Sequence, residues 1–215
     1  MENKNIIICI GRQLGSGGHD IGRMLAAEFD AKYYDRELLN LAAKESGFSK
    51  KVFERNDEQK GFFKTLFGIQ TTHIGGGLYN SNISQDSLFQ FQSDAIRKAA
   101  AEGNCVFVGR CADYVLRDMP NVVKIFITAT MYDRITRISA SKRATKIFQK
   151  KNITPKEAKH CILQAEGHRA SYYNYYTGKK WGAADSYDLC ISSSVLGLEG
   201  TVQFIADFIR KRYGI

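Results

Sequence analysis

The chain has 215 residues, 44% of them hydrophobic and 25% charged, with only two prolines. That length and balance suit one folded domain with a real core and exclude a disordered chain. No apolar run approaches the roughly 18 residues of a membrane span, and the short N-terminal run leads into glycines, so the expected location is the cytoplasm. The formal net charge of +9 is local: residues 134–180 hold twelve Lys/Arg against two acids, a surplus of +10 that leaves −1 for the rest. Such a segment is a solvated helical face, a lid over a polyphosphate, or a nucleic-acid surface.

Five residues, Ile6-Ile7-Ile8-Cys9-Ile10, have the length and apolarity of a buried strand. Gly11-Arg12-Gln13-Leu14-Gly15-Ser16-Gly17-Gly18 follows as a glycine-rich turn, and Ile21, Leu25 and Phe29 then repeat at helical spacing. Strand, glycine loop and helix together direct backbone N–H groups at an anion, usually a phosphate. The P-loop pattern G-x-x-x-x-G-K-[ST] adds a lysine for the β/γ-phosphates and a hydroxyl for Mg²⁺. Here Arg12 stands at the first glycine, Gly18 at the lysine and His19 at the hydroxyl.

Lys32-Tyr33-Tyr34 is a short strand-like run ending in Asp35-Arg36, and residues 37–44 and 49–60 read as helices. Residues 61–83 mix Phe62, Phe63 and Phe67 with a Gly75-Gly76-Gly77 run and read as a mobile excursion. Leu88, Phe91, Ala95 and Ala99 mark a helix ending at Gly103. Cys105-Val106-Phe107-Val108 and residues 122–128 are further buried strands, the first ending in Gly109-Arg110. Residues 132–141 begin the basic helical region. Thr154-Pro155-Lys156-Glu157 is a helix start with a threonine cap, proline at the first position and glutamate three residues on; this helix extends to about Tyr176 and is stopped by Thr177-Gly178. Tyr187-Asp188-Leu189-Cys190-Ile191 is the last strand, and Leu198, Val202, Ile205 and Ile209 stripe a closing helix.

Strands alternating with helices predict an α/β domain: a mostly parallel five-stranded sheet with helices on both faces. The expected organisation is a single domain with core segments at about 1–47, 84–133 and 183–215, a helical excursion at 48–83 and a basic helical lid at 134–182. Ligands of such sheets sit beyond the carboxyl ends of the strands. That places the glycine loop, Asp35-Arg36 and Gly109-Arg110 along one edge. The five cysteines are odd in number and form no C-x-x-C, so free packed thiols are expected. His73, His160 and His168 share no metal-like spacing, and no metal site is assigned.

The glycine loop, Tyr33-Tyr34-Asp35-Arg36, Val108-Gly109-Arg110, the tyrosine-rich stretch from Arg169 to Gly182 and Tyr187-Asp188-Leu189-Cys190-Ile191 resemble the nucleoside monophosphate kinases. More closely they resemble the cytidylate-kinase-like group, whose loop reads G-S-G-G. The resemblance covers residues 5–37, 104–138 and 165–210. It implies a three-layer P-loop fold and transfer of the γ-phosphoryl of ATP to CMP, dCMP or a related small acceptor, with ATP and Mg²⁺ as cofactors. Gly11, Gly15, Ser16, Gly17, Gly18 and His19 would then bind the ATP phosphates. Asp35, Arg36 and Arg110 would face the acceptor. Asp113 reads as a partner of Arg110 on that acceptor side, or of a metal, with helix capping as its alternative. Arg12, Arg134, Arg137 and Arg169 would bring positive charge to the transferring phosphoryl, a role worth ~10³–10⁵ in rate for a single arginine finger. Arg12, Arg23 or a lid arginine are the candidates to replace the lysine.

Two other readings stand beside this one. A chain that kept the fold and lost turnover would bind nucleotide in a regulatory role. A nucleic-acid-binding module would use the basic segment, although no helix-turn-helix, zinc-finger or RNA-recognition signature accompanies it. The tyrosines at 172, 173, 175 and 176 are expected to pack the lid on the core, and Trp181 suits a surface turn or a base stack.

Overall fold

A computed structural model describes residues 5–35, 85–141 and 153–215. Arg36, the helices expected at 37–44 and 49–60 and the excursion at 48–83 lie outside the described residues.

Five strands form one sheet: β1 (Ile7–Arg12), β2 (Lys32–Tyr34), β3 (Cys105–Val108), β4 (Val122–Thr128) and β5 (Leu189–Ser192), in the order β2-β3-β1-β4-β5. Every pairing is parallel. Central parallel strands must be apolar on both faces, which is why β1, β3 and β4 read as continuous hydrophobic runs. Ile8 and Ile10 of β1 join Val106, Val108, Ile125 and Ile127 against helices α1 (Gly18–Glu28) and α6 (Ser193–Tyr213). Ile7 and Cys9 join Cys105 and Phe107 on the other face, under α2 (Gln85–Glu102) and the short α3 (Ala112–Val115).

β1 runs two residues beyond the expected apolar stretch because β4 is long enough to pair with it up to Arg12 opposite Ile127. Cys190, expected in the core, is exposed because β5 is an edge strand; Cys9, Cys105 and Cys111 are buried as expected. The closing helix contains a break not visible in its apolar stripe, at Gly197 (φ 70, ψ −176).

Among the described residues, the basic segment supplies helices α4 (Met131–Ala140) and α5 (Pro155–Thr177). Thr154 Oγ1 accepts from Glu157 N while Glu157 Oε2 accepts from Thr154 N, so the expected capping box is complete. Gly178 (φ 67) ends the helix. Its C-terminal turns are tied to α2 by Tyr172 Oη donating to Gln92, by Tyr176 Oη donating to Asp86, and by Tyr176 stacked on Phe89. No described helix is long and apolar enough to cross a membrane.

Candidate functional site

All strands are parallel, so the ends of β2, β3 and β1 lie side by side and the loop between β1 and α1 opens at the same edge. This loop is held by its carbonyls. Arg12 O accepts from Arg169 Nη1 at 3.1 Å, Gln13 O from Ser16 Oγ at 2.9 Å and Leu14 O from Arg134 Nε at 2.9 Å. Gly15 O accepts from Arg137 Nη1 at 3.2 Å and Ser16 O from Ser193 Oγ at 2.7 Å. Five successive carbonyls are thus bonded by side chains. Across a trans peptide the following N–H points the opposite way, so anchoring the carbonyls of Leu14 and Ser16 turns the N–H groups of Gly15 and Gly17 to the other side. Gly15 (φ 81) and Gly17 (φ 79) adopt the left-handed conformation that this concave backbone needs. The first N–H groups of α1, from Gly18 onward, lack intrahelical partners and extend the same anion-binding surface.

His19 and Asp35 meet beside this loop. His19 Nδ1 lies 2.8 Å from Tyr33 Oη and 3.9 Å from an oxygen of Asp35, whose side chain is buried. Ser16 is 0% exposed, and its hydroxyl donates to Gln13 O. Neither residue therefore offers Mg²⁺ the oxygen that the usual loop hydroxyl supplies: one is sealed in, and the other is an imidazole engaged with a phenol. Among the described residues, no group of three or more His, Cys, Asp or Glu is placed to hold a metal ion. The loop fits the phosphates of ATP through its backbone but does not fit a protein-ligated Mg²⁺.

A cavity of about 580 Å³ opens beyond the ends of β1 and β3, roofed by α5. Arg12, Arg110, Asp113, Arg169, Tyr172 and Trp181 all line it. Gly109, Arg110 and Cys111 take φ values of 84, 63 and 56 in succession, so two non-glycine residues are held left-handed at the edge of the cavity. Such strain of about 1–2 kcal/mol per residue persists only where its surroundings enforce it, and it is concentrated at functional sites. The Arg110 guanidinium lies 5.4 Å from the Tyr172 ring centroid, and burial lowers its pKa from the ordinary arginine value. Asp113 Oδ2 accepts from Tyr173 Oη at 2.7 Å, and burial pushes its carboxyl above the usual range. Tyr172 is pushed up to about 12, also by burial. Cys9, Cys111 and Cys161 face the same cavity, but burial raises all three thiols, Cys111 to about 12, so they are neutral packing groups and not nucleophiles.

The structure therefore brings Arg12, Arg110, Asp113 and Arg169 to one cavity and keeps Gly15, Ser16, Gly17, Gly18 and His19 together in the adjoining loop. Gly11, at the end of β1, leaves room for a ring: a Cβ there would stand 2.7 Å from Phe126 Cδ2. Asp113 does not cap α3; it sits in that helix's first turn, and Cys111 holds the cap position without a side-chain bond. Arg134 and Arg137 lie on the carbonyl side of the loop, and Arg36 lies outside the described residues. Tyr172, Tyr173 and Tyr176 pack α5 on the core, as expected, whereas Tyr175 is 74% exposed; all four line the cavity. Trp181 meets Phe126 edge-on at 5.2 Å. Sequence reasoning missed Glu166, which pairs with Arg134, and Ser193. Glu166 had a legible signal as one of only two acids in the basic segment; Ser193 had none.

A five-stranded parallel sheet in this order, with a glycine loop leading into α1 and a basic helix folded over it, defines a P-loop kinase fold. The chain belongs to the cytidylate kinase-like family, whose model matches residues 7–195. An uncharacterized protein from Eubacterium ventriosum ATCC 27560 is 28% identical over 97% of this chain and 99% of that one, with a TM-score of 0.69. Shikimate kinase from Bacteroides thetaiotaomicron (16% identity, 96% of this chain and 99% of that chain, TM-score 0.57) shares the fold. So does a gluconokinase from Sinorhizobium meliloti 1021 (9% identity, 97% and 96%, TM-score 0.52). No curated protein matches the chain.

Proposed function

We propose that this protein transfers the γ-phosphoryl of ATP to the phosphate of CMP, dCMP or a related small acceptor. The observation that carries this reading is the cavity of about 580 Å³ beside the glycine loop, which three arginines and one carboxyl line together. Phosphoryl transfer is mostly positioning and charge neutralisation, and this is the residue set that it demands.

Gly15, Gly17, Gly18 and His19 cradle the ATP phosphates through their N–H groups, while Ser16 closes the turn by donating both its N–H and its hydroxyl to Gln13 O, and Gly11 lets β1 end close against Phe126. Mg²⁺ enters as part of the MgATP substrate. The bases of α4 and α6 stand side by side, Thr130 N donating to Ser194 Oγ at 2.9 Å, and Tyr132, Val195 and Leu196 are exposed there. That apolar surface adjoins the loop through Leu198, which touches Gly17, and suits the ATP base. On the other side, Arg110 and Asp113 present a donor and an acceptor to an acceptor base such as cytosine, which carries an amine beside two acceptor atoms. Asp35, buried at the end of β2 beside His19, completes the acceptor side. An acceptor phosphate oxygen attacks the γ-phosphorus, the bond to the β–γ bridging oxygen breaks, and its electron pair leaves with ADP. Arg12 and Arg169 neutralise the charge that spreads over the transferring group, while Arg134 and Arg137 serve it through the loop that they hold.

The missing metal hydroxyl favours a second reading, a nucleotide-binding protein in a regulatory role without turnover. The inward direction of Arg134, Arg137 and Arg169 favours a lid over a nucleic-acid surface. The test is calorimetric binding of ATP, then ADP release from MgATP with CMP, dCMP, UMP, AMP and GMP in turn. Turnover that is fastest with a cytidine acceptor is the expected result. ATP binding without turnover on any acceptor supports the regulatory reading, and no ATP binding overturns both.

A further inference from the structure

We propose that Arg12 takes the place of the missing loop lysine, entering from the first position of the loop across Gly18 instead of from helix α1. This rests on the phosphotransfer reading above and names the residue that makes its altered loop workable.

The argument begins with space. A Cβ at Gly18 would stand 2.6 Å from Arg12 Cβ and 2.8 Å from Arg12 Cγ. Those are the stem atoms nearest the strand, and β1 fixes them: Arg12 pairs opposite Ile127, and its carbonyl takes the bond from Arg169. The stem of Arg12 therefore runs through the space in which a side chain at position 18 would start. Further out, a Cβ at Gly109 would stand 2.3 Å from Arg12 Nη1 and 3.0 Å from Cζ. Glycines at 18 and 109 thus form a track for one arginine, which leads its head to the cavity that Arg110 and Arg169 share.

In the usual pattern the first position is glycine and the seventh is lysine. Here the seventh is glycine and the first is a cation. The two have exchanged places, and the packing couples them: the stem of arginine at 12 fills the space in which a side chain at 18 would start. The exchange also alters the chemistry. A lysine is a point charge, whereas a guanidinium presents a planar fork that can bond two phosphate oxygens at once.

The test measures the affinity of inorganic tripolyphosphate and of MgATP by calorimetry in the wild type and four variants, with thermal melts as the control for folding. Arg12→Met keeps the stem over Gly18 and removes the charged head; it should melt near the wild type and bind tripolyphosphate about ten- to a hundredfold more weakly, the range expected for a charge-assisted pair. Gly18→Lys alone should also lose affinity, because two stems compete for one space. Arg12→Gly/Gly18→Lys should recover to within about threefold of the wild type, whereas the uncharged control Arg12→Gly/Gly18→Met should recover the melt but not the affinity. Wild-type affinity in Arg12→Met, or a lysine double variant no tighter than the methionine one, overturns the inference while leaving the phosphotransfer reading intact. A wild type that binds neither ligand overturns both.

Discussion

Arg134 donates from Nε to the Leu14 carbonyl at 2.9 Å, and its Nη2 is ion-paired with Glu166 on α5. Arg134 is 3% exposed. One guanidinium thus joins the phosphate loop to α5. Removing one partner of a buried pair leaves an uncompensated charge and costs about 3–5 kcal/mol, while replacing both by apolar groups is often neutral or stabilising. Glu166→Ala should therefore melt well below the wild type. Arg134→Met/Glu166→Leu should melt near it and yet bind MgATP more weakly, because Leu14 O has lost its donor. Melting curves and calorimetry on the same samples check this; unchanged affinity in the double variant would make the pair purely structural.

Asp113 is kept at the cavity against its own solvation. Burial raises its folded pKa above the unfolded value, so between the two the folded protein binds more protons. Its contribution to stability is thus full below the unfolded pKa and declines as pH rises through the folded one. Asp113→Asn can still accept from Tyr173 and has no charge to desolvate. The variant should be at least as stable as the wild type at neutral pH, flatten the melting temperature against pH in the acid range, and lose affinity for the acceptor. A less stable variant at neutral pH would contradict this account.

Gly15 and Gly167 make a matched pair. A Cβ on Gly15, at φ 81, would stand 2.7 Å from Arg134 O and 2.9 Å from Arg134 Cα, which are backbone atoms that cannot step aside. Gly15→Ala should cost more than about 2 kcal/mol from left-handed strain and overpacking together. Gly167, inside α5, has nothing within 4 Å of such an atom. Gly167→Ala should stabilise by about 0.5–1 kcal/mol, the helix-propensity difference. Denaturant melts of the two variants decide both signs.

The capping box at Thr154 stabilises the start of α5, away from the cavity. Thr154→Ala should cost about 1 kcal/mol and speed amide exchange in that first turn. Exchange near Arg169 should stay slow, because that end of the helix is tied to Arg12, Asp113 and α2. Equal acceleration along the helix would show that α5 opens as a unit.

Much of the fold was legible because its signals are local. A central parallel strand, buried on both faces, is a short apolar run, as β1, β3 and β4 are; the edge strands β2 and β5 also lay where their runs predicted, and no end shifted by more than two residues. The capping box at 154–157 and the stop at Gly178 are likewise spelled out in consecutive residues. The four-residue α3 and the break at Gly197 were not legible: one is too short for a periodicity, and the other interrupts a stripe that continues past it.

The altered loop could be read from residue order alone, with Arg12, Gly18 and His19 in the places of glycine, lysine and hydroxyl. Residue order alone showed that a glycine loop of the P-loop pattern opens at a strand end, that its lysine is missing, and that a basic segment lies further along the chain. Which cation goes where was a tertiary matter. Arg12 and Gly109 lie far apart in the chain and touch because β1 and β3 are neighbours; Arg134 and Glu166 meet because α4 and α5 pack together. Charge composition is additive along a chain, but where a guanidinium ends up depends on which backbone leaves it room, and only the packed sheet and its covering helices decide that.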